Sequence, residues 1–376
     1  MNKTIMNNRV SEEIIRHRSF EKERALRLRN WEQGDKAGPF KLMYYPTNTC
    51  NMKCAICWQR EGVRDYSELS VERQTDLINE AVELGVREFI IGGGGEPLVR
   101  WKTLRPLFEK IRAADIFGML FTNGTLITPE LAAVLVDMNW NKVLISLDGL
   151  EASNDSVRET GSFDRIVQGM QYLLDARGER SLPIIGVGCV MAKQNIYDLP
   201  RLVEFLGKRG CDQLNLIRLV VYSEDQRKYA ITPAELGELQ DILESAQKKA
   251  ISFGMATNLI EYMDKNLVMQ SDTFNSVLLS DRTLTTGVHP FWNALCFEPF
   301  SNIVVHPNGM VGPCCMSGDA PLESLIGKSL ADVWYGEKFS AVRQGIFSRR
   351  PEKYCRICDI NVFSENQRLR KLGMSL

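Results

Sequence analysis

Between residues 40 and 220, short apolar runs alternate with longer stretches in which apolar residues recur every three or four positions. The runs FKLMYY, EFIIGG, GMLFTNG, KVLISLDG, IIGVGCVM and QLNLIRLV read as buried strands. Helical stretches separate them at roughly 71–85, 101–113, 129–138, 163–177 and 195–209. In VERQTDLINEAVELG, Val71, Leu77, Ile78, Ala81, Val82 and Leu84 form one stripe, and Gly85 stops the helix. Thr128 caps the next but one, with Pro129 in its first turn. Strand–helix alternation implies a parallel sheet with right-handed crossovers. Periodicity alone leaves an open doubly wound sheet and an incomplete barrel as alternatives.

The flanks differ in texture. Residues 1–38 are highly charged and read as a helical extension outside the repeat. The α/β unit then occupies 39–222, and 223–290 reads as helical connecting structure, its TPAELGELQDILESAQKKA helix opened by Thr232 and Pro233. Aromatic residues, prolines and cysteines increase from about 291, so 291–376 reads as a small Cys-rich α+β domain. There NIVVHPNGMV predicts a hairpin with an Asn-Gly turn.

Charge and composition narrow the class. The 376 residues carry a net charge of −1, which gives no global field for nucleic acid or an anionic membrane. No stretch approaches the ~18 apolar residues of a spanning helix, and the N-terminus lacks a signal-peptide pattern. A cytoplasmic protein is expected. Ten cysteines in a reducing compartment point to metal binding or catalysis rather than a disulfide framework.

Cys50, Cys54 and Cys57 have the spacing C-x3-C-x2-C and follow the first strand, at the end of a parallel α/β unit where chemistry resides. No fourth ligand is nearby. Three thiolates with one open position suit a catalytic zinc or a 4Fe–4S cluster with one iron left for an exogenous ligand. The second strand ends in GGGGEP, where bare glycine backbone admits a small ligand and Glu96 offers an acceptor for an amine. Ser146 and Asp148 share one side of the fourth strand and suit a ribose, and Arg158 suits a carboxylate. S-adenosylmethionine needs this inventory, and its amino and carboxylate groups would fill the open coordination position.

C-x3-C-x2-C followed about forty residues on by GGEP, then TNGT and SLDG at later strand ends, resembles the radical S-adenosylmethionine (radical SAM) superfamily over residues 40–220. The resemblance implies an incomplete (β/α)6 TIM-like barrel and a 4Fe–4S cluster on Cys50, Cys54 and Cys57. It also implies cofactor contacts from Gly94, Gly95, Glu96, Asn123, Ser146, Asp148 and Arg158. The implied reaction is reductive cleavage of S-adenosylmethionine to a 5′-deoxyadenosyl radical, which abstracts a hydrogen atom from substrate. A flavodoxin or ferredoxin would supply the electron.

Near the C-terminus, Cys296, Gly309 and Cys314, with Cys355 and Cys358 further on, resemble a truncated (twitch-type) SPASM auxiliary-cluster extension. The resemblance implies a second 4Fe–4S cluster on these four cysteines; Cys315, next to Cys314, is the alternative ligand. Cys189 and Cys315 are candidate hydrogen-atom donors if the reaction is redox-neutral. Among the three histidines, His17 and His306 read as surface residues and His289 lies beside the expected domain junction.

Two substrate classes follow. A small hydroxylated metabolite (a sugar, aminoglycoside or nucleoside) would be dehydrogenated or epimerised; a ribosomally made peptide would be cross-linked or epimerised. Only 39 residues precede the first strand, too few for a leader-gripping winged helix, which favours the small molecule. A non-catalytic zinc scaffold is the alternative from another class.

Overall fold

The computed structural model describes residues 3–60, 65–263, 296–317, 321–350, 352, 355 and 360–375. Six parallel strands, β1 (Lys41–Tyr44), β2 (Glu88–Ile91), β3 (Phe117–Thr122), β4 (Lys142–Ser146), β5 (Ile184–Met191) and β6 (Gln213–Arg218), follow in spatial order. Helices α2 (Val71–Glu83), α3 (Trp101–Ala113), α4 (Pro129–Asp137), α5 (Glu151–Val157), α6 (Ser162–Arg177) and α7 (Leu199–Arg209) connect them. This is the expected partial barrel. A two-residue strand, β7 (Ala256–Thr257), follows α8 (Pro233–Phe253) and pairs parallel with β6.

Local chemistry sets the helix ends. Ser70 accepts from Arg73 N at the start of α2, and Thr128 accepts from Leu131 N ahead of Pro129 in α4. Gly210 ends α7 in the left-handed region at φ 87°. The core lies between helices and sheet: Leu42 and Tyr44 of β1, Ile185 and Val187 of β5, and the apolar faces of α2, α3 and α7 form one buried cluster. Trp140 is fully buried, 4.2 Å centroid to centroid from Phe108 of α3.

The sheet runs on past the expected boundary near 290. Strand β8 (Asn302–Val305) pairs parallel with β1, in the register Leu42↔Ile303 and Tyr44↔Val305. It turns back antiparallel into β9 (Met310–Gly312) and β10 (Glu323–Ser324), so one ten-stranded sheet carries both the barrel and the hairpin. Gly309 makes the turn at φ 80°, as the Asn-Gly pair predicts.

The N-terminal stretch is a helix, α1 (Lys3–Glu32), packed against the C-terminal helix α13 (Ile360–Ser375). Ala25 and Leu28 meet Phe297, Phe300 and Leu369 in a second core. Between them and α13 lie α9 (Leu259–Tyr262), α10 (Glu298–Ser301), α11 (Leu330–Trp334) and α12 (Glu337–Phe347).

Candidate active site

The chain leaves β1 at Tyr45, whose N–H still donates to Val305 O at 2.8 Å, and folds into the cysteine loop. Tethers from three directions fix that loop. Ala55 N donates to Val157 O at 2.9 Å, and Thr47 Oγ1 donates to Glu68 Oε1 at 2.6 Å. Gln226, 1 % exposed, donates through Nε2 to Cys57 O at 3.1 Å. Nothing in the local sequence marks Gln226; only the return of the chain after β6 brings it there.

Cys50, Cys54 and Cys57 are half-buried at the mouth. Met52 N–H donates to Cys50 Sγ at 3.4 Å, Asn123 Nδ2 lies 4.0 Å from the same sulfur, and Arg158 Nη1 lies 4.0 Å from Cys54 Sγ. Burial pushes the Cys54 thiol up to about 11 and Arg158 opposes it, with Cys57 and Cys50 near enough to add to the rise. Among the described residues no three Cys, His, Asp or Glu side chains close on a single-ion site. N–H donors and a guanidinium aimed at the sulfurs favour thiolate ligation, so this donor set fits the three-cysteine cluster.

The glycine run has a different first cause from the one expected. Gly95 N and Glu96 N donate to Thr47 O and Thr49 O at 2.7 and 2.9 Å, laying the cysteine loop directly over the run. A Cβ on Gly95 would stand 2.0 Å from Thr49 O, and one on Gly93 would stand 2.3 Å from the Tyr45 ring. The close approach is made by the protein's own backbone.

Glu96 is 3 % exposed and ties two strand ends together. It accepts from Leu98 N at 3.0 Å, Thr122 Oγ1 at 2.7 Å and Asn123 N at 2.6 Å. Burial pushes its carboxyl above the usual range, against those hydrogen bonds. Three of its roughly four acceptor positions are taken, which leaves one open among the described residues. Asn123 in turn holds Asn51 Oδ1 at 2.9 Å beside Cys50.

Asp148 departs from the ribose expectation. It is fully buried; one oxygen accepts from Val190 N at 2.7 Å and the other contacts Arg158 Nε at 2.7 Å. That second contact is an ion pair whose N–H is not aimed at the oxygen. Asp148 therefore positions Arg158. Ser146 stays half-buried at the end of β4, on the face opposite Val143 and Ile145.

Cys189 is a correction. It shares a face of β5 with Ile185 and Val187 in the helix-facing core, so strand alternation turns it away from the barrel interior. It is 2 % exposed, with Asn195 Nδ2 3.9 Å from its sulfur. This position does not suit a hydrogen-atom donor to substrate.

In the second cluster region, Cys314 is within electrostatic reach of Cys315, Cys296 and Cys355, and burial pushes its thiol far up. Burial likewise raises Cys296, and takes Cys355 to about 12. Cys315 is exposed, and both it and Cys314 are within electrostatic reach of Tyr45, whose hydroxyl is held well above its usual value by burial first and then by Cys315, Tyr222 and Cys314. Buried thiols that favour the neutral form alone become thiolates on binding a metal, so Cys296, Cys314 and Cys355 fit a cluster site. Cys358, His289 and the His17 side chain lie outside the described residues. His306, expected on the surface, is 9 % exposed.

The model of the radical SAM superfamily matches residues 44–206, and that of the SPASM iron-sulfur cluster-binding domain matches 296–359. Residues 44–206 are thus a radical SAM domain, followed by a SPASM domain. The chain's cofactors are S-adenosylmethionine and 4Fe–4S clusters, and the zinc-scaffold alternative is set aside. This radical SAM chain is 34% identical over 197 residues to the mycofactocin maturase MftC of Mycobacterium tuberculosis, covering 51% of this chain and 47% of that one. It is 31% identical over 181 residues to the Fe-coproporphyrin III synthase of Methanosarcina barkeri, covering 48% and 44%. The chain thus spans about half the length of the curated relatives it matches. Its fold matches Streptococcus suis SuiB bound to S-adenosylmethionine with a TM-score of 0.62 at 19% identity, covering 82% of this chain and 68% of SuiB. Among the described residues no helix is long and apolar enough to cross a membrane.

Proposed function

We propose that this radical SAM enzyme is a maturase of a ribosomally made peptide, which it oxidises, cross-links or epimerises. The observation that carries the reading is the 34% identity over 197 residues to a maturase, mycofactocin MftC, beside a fold shared with SuiB, which has been solved bound to the precursor peptide SuiA. It reverses the preference for a small hydroxylated metabolite drawn from the short N-terminal stretch.

When bound, the cluster and S-adenosylmethionine supply one-electron chemistry that removes a hydrogen atom from an unactivated C–H bond. Cys50, Cys54 and Cys57 hold the cluster. Met52 N–H and Asn123 direct donors at Cys50, and Arg158, positioned by Asp148, places positive charge beside Cys54. Glu96 locks the ends of β2 and β3 together and keeps its remaining acceptor position for the cofactor's amine. Gly94, Gly95, Asn123 and Ser146 would contribute further cofactor contacts, the two glycines through their backbone. Cys296, Cys314, Cys355 and Cys358 hold the auxiliary cluster. Cys315, exposed at the mouth near Tyr45, supplies a hydrogen atom where the outcome is redox-neutral. A flavodoxin or ferredoxin delivers the electron, and the cytoplasm keeps the thiols reduced.

The test uses the anaerobically reconstituted chain with dithionite and S-adenosylmethionine. A perdeuterated peptide fraction and a perdeuterated small-metabolite fraction from host cells are supplied separately. Deuterium in 5′-deoxyadenosine, read by mass spectrometry, is expected from the peptide fraction. Deuterium from the metabolite fraction alone would return the reading to a small hydroxylated substrate.

A further inference from the structure

His306 stands where β8 leaves the sheet and the cluster hairpin begins: its N–H donates to Met310 O at 2.8 Å. On β8, Ile303 and Val305 belong to the helix-facing core, so Val304 and His306 face the barrel interior. The same alternation on β1 puts Leu42 and Tyr44 outward and Tyr45 inward. The two inward rings meet edge to face, their centroids 5.2 Å apart.

Tyr45 places the pair. On one side its ring occupies the space a Cβ on Gly93 would need, so it borders the glycine run of the first site. On the other, its hydroxyl is within electrostatic reach of Cys315 and Cys314 of the second. The imidazole therefore packs on a residue that borders both cluster regions. It is 9 % exposed, and its Nε2 is buried without a hydrogen-bond partner among the described residues. An orphaned buried ring nitrogen is costly and calls for an explanation. The loss of water around it also lowers its pKa to about 4, so at neutral pH the ring is neutral and Nε2 either accepts from an amide N–H or donates to a carbonyl.

We propose that His306 contacts substrate, its Nε2 hydrogen-bonding a peptide group of the chain held between the two cluster sites. This rests on the peptide reading above. It gives the interior a polar anchor that fixes which C–H bond faces the first site.

The test compares wild type, His306→Ala and His306→Gln as reconstituted holoenzymes with the perdeuterated peptide fraction. In His306→Ala, the share of 5′-deoxyadenosine that carries deuterium is expected to fall at least about tenfold, the loss of one good hydrogen bond. His306→Gln, which keeps a donor and an acceptor, recovers part of it, and both variants retain the iron of both sites. With three histidines in the chain, the ¹⁵N imidazole signals are few, and the His306 signal is expected to shift when the peptide fraction is added. Wild-type deuterium transfer in His306→Ala would overturn the contact while leaving the peptide reading standing. Iron loss in both variants would reduce His306 to a structural role. Transfer in wild type from the metabolite fraction alone, or from neither fraction, would overturn the peptide reading and this proposal with it.

Discussion

Gly95 shows how tightly one residue is held at the first site. Its backbone lies outside the left-handed region, so the demand for glycine is purely steric: a methyl group would meet the carbonyl of Thr49 at 2.0 Å. That oxygen is backbone and cannot rotate away, and the next residue, Cys50, is a proposed cluster ligand. Gly95→Ala is therefore expected to lift the cysteine loop. The overpacking costs about 1–3 kcal/mol, and iron at the first site falls while the second keeps its own. Iron counts and thermal unfolding together check this. Full iron with an unchanged melting temperature would show that the loop yields freely. The GGGGEP run was legible as a close-approach motif from sequence alone; what approaches it was not, because the pairing of Gly95 with Thr47 is a contact between loops.

At the scale of elements, strands and helices with local signals were read correctly to within a few residues. Caps such as Ser70 and Thr128 and stops such as Gly210 announce themselves within one turn of the helix they bound. The pairing of β1 with β8 was not legible, since Leu42 and Ile303 carry no mark of each other across the chain. His306 was misplaced for that reason: HPNG reads as an exposed turn until β8 is known to be a barrel strand. The clamp between α1 and α13 is also nonlocal. Arg24, 4 % exposed, pairs with Glu365 of α13 and lies 3.6 Å from Glu298 of α10. Removing one partner of a buried ionic group strands the others. Arg24→Leu is expected to cost about 3 kcal/mol, read as a lower urea midpoint with an unchanged slope. A cost near zero would mean that Glu298 and Glu365 find solvent or other cations when Arg24 is gone.

For the molecule as a whole, one continuous sheet carries both cluster regions, so the choice between two adjacent cysteines fixes how the two regions face each other. Cys314 is half-buried within electrostatic reach of Cys296 and Cys355, whereas Cys315 is exposed. Ligation by Cys314 leaves the exposed Cys315 outside the cluster; ligation by Cys315 would exchange the two roles. Burial already disfavours thiolate at Cys296, Cys314 and Cys355, so a bound cluster would be what holds them as thiolates, and loss of one ligand would weaken that site. Cys314→Ser is expected to bring the reconstituted chain from about eight irons to about four, while Cys315→Ser keeps about eight. Iron and sulfide counts with electron paramagnetic resonance of the reduced protein read both outcomes. The reverse pattern would assign the ligand to Cys315 and remove it as a hydrogen-atom donor. A full complement in both variants would mean that each cysteine can replace the other, in which case the hairpin between β9 and β10 adjusts to hold the cluster from either position.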